Sequence, residues 1–207
     1  VWRQTRHRPG MPVSLVWFRQ DLRLADNPAL TLAAQRGAVV PVYIDCSAEE
    51  DPWPPGGASR WWLHQSLQRL DATLRDRNSR LCMRQGPALA VLRELCAETG
   101  ADAVFWNRRY EPVITARDAS VKSELRAAGL IAESRNAALL VEPWEIANQS
   151  GKPFRVFTPF WRALLKQYAP AAPLPVPALS SPSSWPESLP LETLRLLPRI
   201  PWHQHMA

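Results

Sequence analysis

Six polar residues of the chain end or follow short apolar runs that indicate β-strands. They are Arg19 after the first run, Tyr43 and Asp45 at the second, and Asn107, Arg108 and Glu111 after the fourth. Glu111 is the strongest candidate, because a carboxylate can accept two hydrogen bonds at once from neighbouring N–H donors. The alternative is that Glu111 only begins a helix at Pro112, where the helix dipole favours an acidic residue. Binding of a small molecule is the favoured interpretation.

Several other kinds of site are excluded by missing motifs. The turn at 19–26 contains no glycine, so the dinucleotide fingerprint is absent. The sequence at 151–153, Gly-Lys-Pro, lacks the glycine spacing and the Ser or Thr of a P-loop. Cys46, Cys82 and Cys96 are odd in number and far apart, which indicates neither a disulfide framework nor a zinc site. We therefore expect no metal and three reduced, buried cysteines.

The charges leave the partner open. Lys plus Arg number 25 against 19 Asp plus Glu, for a formal net charge of +6, which favours an anionic partner such as nucleic acid. An arginine-rich composition alone would explain the same balance. Arg19, Asp21 and Arg23 alternate in sign within one turn, a pattern that favours mutual pairing over ligand binding.

The elements that must position these residues alternate regularly between strand and helix. Strands are predicted near 13–18, 38–44, 80–84, 102–106 and 130–134, and helices near 28–36, 59–77, 87–99 and 113–128. This order predicts an α/β fold with a five-stranded parallel sheet covered by helices on both faces. Ligands of such sheets bind beyond the carboxyl ends of the strands, where the six polar residues lie.

Local signals fix the ends of these helices. Asn27 is a good N-cap before Pro28, which loses nothing by lacking an N–H at the first helical position. Ser59 is predicted to cap the second helix, and Gly100 and Gly129 to end the third and fourth. Leucines at four, three and four residue steps place one stripe of the second helix on the sheet: Leu63, Leu67, Leu70 and Leu74.

Three regions divide the chain. Residues 1–10 are an N-terminal extension, 11–168 the folded domain, and 169–207 a proline-rich linker. Nine of the 21 prolines fall within 169–202, which favours an extended course and no regular core element. We expect the linker to lead to a second domain that this chain lacks. The chain has neither an apolar run of about 20 residues nor a signal peptide, so a cytoplasmic location away from membranes is expected.

Four sequence blocks in fixed order resemble the DNA photolyase and cryptochrome family. They are VWFRQDLRLADNPAL at 16–30, ASRWWL at 58–63, WNRRYEP at 106–112 and FRVFTPFW at 154–161. They are distributed over residues 13–168, the range of the resemblance, and they are far more specific as a set than any one motif.

The resemblance implies a Rossmann-like amino-terminal domain that holds a light-harvesting antenna: a folate, a deazaflavin or FMN. It also implies a helical domain that binds FAD, accepts the flipped pyrimidine dimer of UV-damaged DNA and donates an electron under blue light. Residues of that domain are absent here, so no photo-lyase catalytic residue is transferred to this chain. Residues 197–202 resemble the family's interdomain connector, whereas 203–207 do not.

The resemblance also ranks the site residues. It implies that Glu111, in the family's Tyr-Glu motif, contacts the antenna, with Asn107 and Arg108 as edge contacts. Arg19, Tyr43 and Asp45 are expected to line the same pocket. Aromatic residues at 154–161 are expected to meet the helical domain rather than to stack on nucleic acid. Four tryptophans are expected in the core: Trp17, Trp61, Trp62 and Trp106.

Two alternatives to a photolyase antenna domain stay open at this point. The same domain occurs in cryptochromes, whose output is partner binding, and nothing in residues 1–207 separates the two. A free-standing nucleotide-binding α/β module is a third class, but it needs a glycine-rich or H-x-G-H phosphate site that the chain does not offer.

Overall fold

The computed structural model describes residues 10–49, 54–169, 171–200 and 202. The strands are β1 Val13–Phe18, β2 Ala38–Asp45, β3 Cys82–Gln85, β4 Ala103–Asn107 and β5 Ile131–Arg135. The helices are α1 Pro28–Arg36, α2 Gly57–Arg75, α3 Ala88–Thr99, α4 Pro112–Ala127 and α5 Phe157–Gln167. Two short 3-10 turns lie at Ser47–Glu49 and Leu191–Leu194. Residues 1–9, which make up almost all of the predicted N-terminal extension, lie outside the described part of the chain. Residues 203–207 also lie outside it.

All five strands are parallel, and their order in the sheet is β3-β2-β1-β4-β5. The predicted α/β fold is thereby confirmed. The chain moves outward from β1 to β3, then returns to the other side of β1 with β4. The order reverses between β1 and β4, and the loops leaving these neighbouring strands diverge there, which leaves a crevice.

Side chains along each strand point alternately to the two faces of the sheet, and they form one hydrophobic core on each face. Trp17 of β1 and Trp106 of β4 pack edge-to-face at 6.0 Å on the side of α3 and α4. Phe18 and Phe105 lie on the other side, in one core with apolar residues of α1 and the leucine stripe of α2. The three central strands β1, β2 and β4 bury both faces, which explains why they appear as continuous apolar runs. Among the described helices, none is both long and apolar enough to cross a bilayer.

The predicted helix ends agree with the structure in three of four places. Asn27 caps α1, its side chain accepting the Leu30 N–H at 3.1 Å. Gly100 follows α3 with φ of 68°, a left-handed conformation that suits glycine. Gly129 follows α4 in the same way. The Ser59 cap is wrong: Gly56 takes the extended N-cap conformation, so Ser59 falls inside the first turn of α2.

Helix α5 was not predicted. Its sequence contains Pro159, which is normally a sign against a helix. Here the proline occupies the third helical position, where the N–H has no partner within the helix in any case.

The proline-rich segment at 171–200, called the strap below, runs along the domain in an extended path. The Ser180 carbonyl accepts from Val39, and the Leu189 N–H donates to Met83 at 2.9 Å. The extended course agrees with the sequence. The structure adds that Leu194 and Leu196 are buried in the core beside α2, because the turn Leu191–Leu194 directs them inward.

Core burial of the strap leads to a stability prediction. Leu194→Ala should lower the free energy of unfolding by about 2–5 kcal/mol, since it removes a side chain that is 3% exposed. Leu197→Ala is the matched control, because Leu197 is 46% exposed and should change stability by less than about 0.5 kcal/mol. Urea unfolding followed by far-UV circular dichroism measures both. Equal small losses would mean that the strap is not part of the folded core.

Candidate functional site

An open cavity of about 1820 Å³ lies at the carboxyl ends of the strands, beside the β1/β4 reversal. Four of the six predicted residues line it: Arg19, Tyr43, Asp45 and Glu111. Asn107 and Arg108 are not among the lining residues. Within the described part of the chain, no cluster of three His, Cys, Asp or Glu side chains could hold a metal ion.

Two walls of the cavity come from regions in which the sequence analysis named no site residue. The first half of α2 contributes Arg60 and Trp62, and the strap contributes residues 193–196. Arg60 Nη2 donates to the carbonyl of Arg195 at 2.5 Å, which joins these walls. The site is therefore assembled from segments more than a hundred positions apart, and no local motif indicates the contact between them.

The segment leaving β4 sends alternate side chains in different directions. Asn107 points inward, is 3% exposed, and donates to Asn27 Oδ1 at 2.8 Å and Asp21 Oδ2 at 2.5 Å. Arg109 and Glu111 point to the cavity. Such alternation is typical of extended backbone. Asn107 thus fixes the ends of β1 and β4 relative to each other.

Arg108 and Tyr110 point away from the cavity and both bind Glu142. The Tyr110 hydroxyl donates to Glu142 Oε2 at 2.9 Å, and Arg108 forms an ion pair with the same carboxylate. Burial, reinforced by the Glu142 carboxylate, raises the pKa of Tyr110 to about 12. Arg108 also lies 5.6 Å from the ring centre of Trp144. These contacts hold the loop after β5.

Glu111 is the N-cap residue of α4, and its side chain is 49% exposed. Its carboxylate makes no capping hydrogen bond to the helix and instead accepts from Arg109 at 2.8 Å. Burial alone would raise the pKa of Glu111. The hydrogen bond and positive charge of Arg109, together with nearby backbone N–H groups, lower the pKa by more than burial raises it. The net pKa lies below the ordinary value, so the cavity holds an ionised acceptor at neutral pH.

Arg19 is engaged inside the protein, but its guanidinium does not pair with the acid of its own turn as predicted, because Asp118 of α4 lies closer to it. Its guanidinium pairs with Asp118 of α4, donates to the Asn107 carbonyl, and lies 4.7 Å from the Trp17 ring centre. Its backbone N–H donates to Asp21 at 2.9 Å. Burial lowers the pKa of Arg19, although Asp118 opposes that shift. Arg117 shares the Asp118 carboxylate at 2.9 Å.

The tryptophan prediction holds for two of the four. Trp17 and Trp106 are buried. Trp61 is only half-buried, and Trp62 is 67% exposed and lines the cavity. The reason is helical geometry: Trp62 precedes the first leucine of the stripe by one residue and points about 100° away from it. The spacing of the leucines in the sequence is enough to predict that Trp62 points away from the sheet.

The buried ion network leads to a prediction at Asp118. Asp118→Asn removes the charge that neutralises Arg19 and should cost about 3–5 kcal/mol of unfolding free energy. Asp102→Asn is the control, because Asp102 pairs with Arg36 at 2.9 Å but is 55% exposed, so its loss should cost about 1 kcal/mol or less. Urea titration at pH 7 compares the two. Equal losses would contradict a special role for the buried pair.

Comparison with known proteins agrees with this geometry. The DNA photolyase family model matches residues 14–178. A deoxyribodipyrimidine photo-lyase of Agrobacterium fabrum is 47% identical over 189 residues, covering 90% of this chain and 39% of that protein. Cryptochrome-1 of Arabidopsis thaliana is 42% identical over 163 residues, covering 78% of this chain and 24% of that protein.

A solved structure shares the fold over nearly the whole chain. The crystal structure of a bacterial class III photolyase from Agrobacterium tumefaciens matches with a TM-score of 0.87 and 44% identity, covering 96% of this chain and 41% of that one. The chain thus spans about two fifths of these photolyases. Because the family model matches most of its length and the same sheet recurs in the solved relative, the chain belongs to the DNA photolyase family and has the fold of its amino-terminal domain.

Proposed function

We propose that this chain is the light-harvesting domain of a deoxyribodipyrimidine photolyase and that its cavity binds an antenna chromophore. In the whole protein, the excited antenna would serve light-driven repair of UV-induced pyrimidine dimers in DNA. The FAD and the repair chemistry would belong to the helical domain, because no residue of this chain is assigned to either. In this proposal the chain contributes the chromophore-binding part of a deoxyribodipyrimidine photo-lyase.

The observation that carries the proposal is the placement of Glu111. Its ionised carboxylate faces a large cavity at the switch point of a parallel sheet. Folates, deazaflavins and flavins present ring N–H donors, which a carboxylate accepts through charge-assisted hydrogen bonds. Trp62 and Tyr43 add aromatic surface for a planar ring. Arg19 and Asp45 complete the polar lining.

The size of the cavity fits such a molecule. Ligand pockets usually measure about 300–1,000 Å³, and this cavity, at about 1820 Å³, accepts a fused ring system with room to spare. In this proposal Asn107 and Arg108 do not line the cavity, and their role is structural. They hold the segment that carries Glu111, through the bonds of Asn107 to Asn27 and of Arg108 to Glu142.

The proposed partner within the full-length protein is the FAD-binding helical domain, docked on α5. Phe157, Trp161 and Leu165 recur every four residues on this helix and are 70%, 42% and 59% exposed. The rings of Phe157 and Trp161 stack at 6.0 Å. A contiguous exposed apolar stripe of this kind marks an interaction surface. Damaged DNA would then be bound by the assembled protein.

A cytoplasmic location is part of the proposal. Cys46, Cys82 and Cys96 are buried and form no disulfide, which fits a reducing compartment.

A cryptochrome is the second candidate, favoured by the 42% identity to the plant cryptochrome. A photolyase repairs pyrimidine dimers in light, whereas a cryptochrome acts by binding a partner. Illuminating the full-length protein with dimer-containing oligonucleotide and a reductant should restore intact DNA if it is a photolyase. A level of repair no higher than that without protein would favour the cryptochrome.

Glu111→Gln tests the binding site. The substitution removes the charge and turns one acceptor into a donor aimed at a donor. Losing charge-assisted bonds costs about 1.5–3 kcal/mol, so chromophore affinity should fall roughly ten- to a hundredfold. Titrating a deazaflavin, FMN and a folate into the purified chain measures the change by fluorescence.

Glu124→Gln is the matched control, because Glu124 is 51% exposed, also pairs with an arginine, and lies on α4 away from the cavity lining. It should leave affinity unchanged. Thermal unfolding should show only small losses: about 0.3–1 kcal/mol for Glu111, an exposed acid at a helix start, and about 1 kcal/mol or less for Glu124, which forms an exposed ion pair. Tight, equal chromophore binding by wild type and Glu111→Gln would leave Glu111 a structural role only.

A further inference from the structure

We propose that Lys122 of α4 is a reactive amine, and that an activated acyl donor, either an acyl phosphate or an acyl thioester, transfers its acyl group to Lys122 Nζ. Lys122 does not line the cavity at the carboxyl ends of the strands, so the inference is independent of the proposed chromophore. It concerns a charged cluster between α4 and β5 that the proposed function does not use.

The amine of Lys122 lies half-buried beside another cation. Lys122 Nζ lies 2.6 Å from the hydroxyl oxygen of Ser134, and Arg108 Nε donates to the same oxygen at 3.2 Å. On its other side, Arg108 is paired with Glu142. Lys122 Nζ also lies 5.5 Å from the ring centre of Trp106, which covers it from the core side. Two basic groups thus share one neutral oxygen.

The acidic residues that face Lys122 are paired with arginines. Asp118, one turn earlier on α4, binds Arg117 at 2.9 Å. Glu133 of β5 binds Arg135 at 2.8 Å. Within the part of the chain that the structure describes, Lys122 itself forms no ion pair with a carboxylate. An ammonium at this position therefore lacks the partner that a half-buried charge requires.

The hydrogen bonds at Ser134 favour the neutral amine. Ser134 is 9% exposed, and a serine hydroxyl has one proton to donate and two lone pairs. If Lys122 is an ammonium, Lys122 and Arg108 both donate to Ser134 Oγ, and the hydroxyl proton is left without an acceptor in this pair of contacts. If Lys122 is neutral, the hydroxyl donates to Nζ while it accepts from Arg108. Every proton of the group then has an acceptor.

The charges around the amine act in the same direction. Burial lowers the pKa of Lys122, and so do the positive charges of Arg108 and of Arg126, which lies one turn further along α4. Asp118 and Glu133 oppose this shift of the pKa without outweighing it. A lower pKa raises the fraction of free amine at neutral pH, and only the free amine is a nucleophile.

The acyl transfer balances without a further reactant. The lone pair of Nζ attacks the acyl carbonyl carbon, and a C–N bond forms. The C–O bond of an acyl phosphate or the C–S bond of a thioester breaks, and phosphate or a thiol leaves. Nζ loses one proton to solvent. The product is an uncharged amide, so the cluster loses the positive charge of Lys122.

Two other lysines serve as internal controls, because the chain has three in all: Lys122, Lys152 and Lys166. Lys152 and Lys166 are exposed, so water solvates their ammonium groups. The purified chain is incubated near pH 7 with acetyl phosphate or with acetyl-CoA, and mass spectrometry of its peptides gives the acetylation rate of each lysine. Lys122 should react roughly threefold faster or more than either exposed lysine with at least one donor.

The pH dependence tests the cause of this reactivity. Near about pH 10, where ordinary lysines also lose their proton, Lys152 and Lys166 should react as fast as Lys122 or faster, because they are more accessible. A lead of Lys122 that stays the same between neutral pH and about pH 10 would contradict a role for the free amine.

Arg126→Gln removes one of the cations that face the amine. It should slow the acetylation of Lys122 near pH 7 by roughly twofold or more and leave the two exposed lysines unchanged. Arg69→Gln is the matched control, because Arg69 is an exposed arginine of α2, which packs on the other face of the sheet. It should leave all three rates unchanged. Lys122→Arg keeps the charge and should abolish the fast acetylation.

The comparison of the three lysines within the wild-type chain depends on no variant. A lead of Lys122 with acetyl phosphate assigns the acyl phosphate as a donor, and a lead with acetyl-CoA assigns the thioester. Acetylation of Lys122 no faster than that of the exposed lysines with both donors would overturn the proposal. A fast rate at Lys122 that survives Arg126→Gln would overturn the cationic surroundings as its cause.

Discussion

The guanidinium of Arg19 lies almost fully buried at the end of the central strand, and much of the site depends on how its charge is neutralised. A buried cation without a partner is costly, so the chain must bring an acid to it. Asp118 does so from the second turn of α4, while the carbonyl of Asn107 accepts from the same group. One side chain thereby joins β1, β4 and α4. The position of Glu111, which begins α4, follows from that connection.

The strap contributes to the site in a different way. Its leucines are held in the core by hydrophobic burial, and its backbone is held by hydrogen bonds to Val39 and Met83. These contacts place residues 193–196 as a wall of the cavity. A segment whose composition suggests only a connection between domains is thus a structural part of the domain. The hydrophobic core of the domain therefore includes residues beyond position 168.

The parts of the fold that could be predicted are those encoded over short distances. Apolar runs and helical periodicity predicted the five strands and four helices, and Asn27 and Gly100 marked their ends through local backbone chemistry. The carboxyl-end location of Glu111 followed from the parallel sheet. The partners of Arg19 and Arg108 could not be predicted, because Asp118 and Glu142 lie 99 and 34 positions away. Docking of the strap depends equally on contacts far apart in sequence.

The contact between the strap and β3 also bears on how the protein behaves at high concentration. β3 lies at one edge of the sheet, and an edge strand with unused N–H and carbonyl groups can recruit a strand from another molecule. The Met83 carbonyl is occupied by Leu189, and the Met83 N–H by the Ser188 hydroxyl. Pro186 and Pro190 flank this pair and offer no N–H of their own. The strap therefore protects this edge against intermolecular β-aggregation.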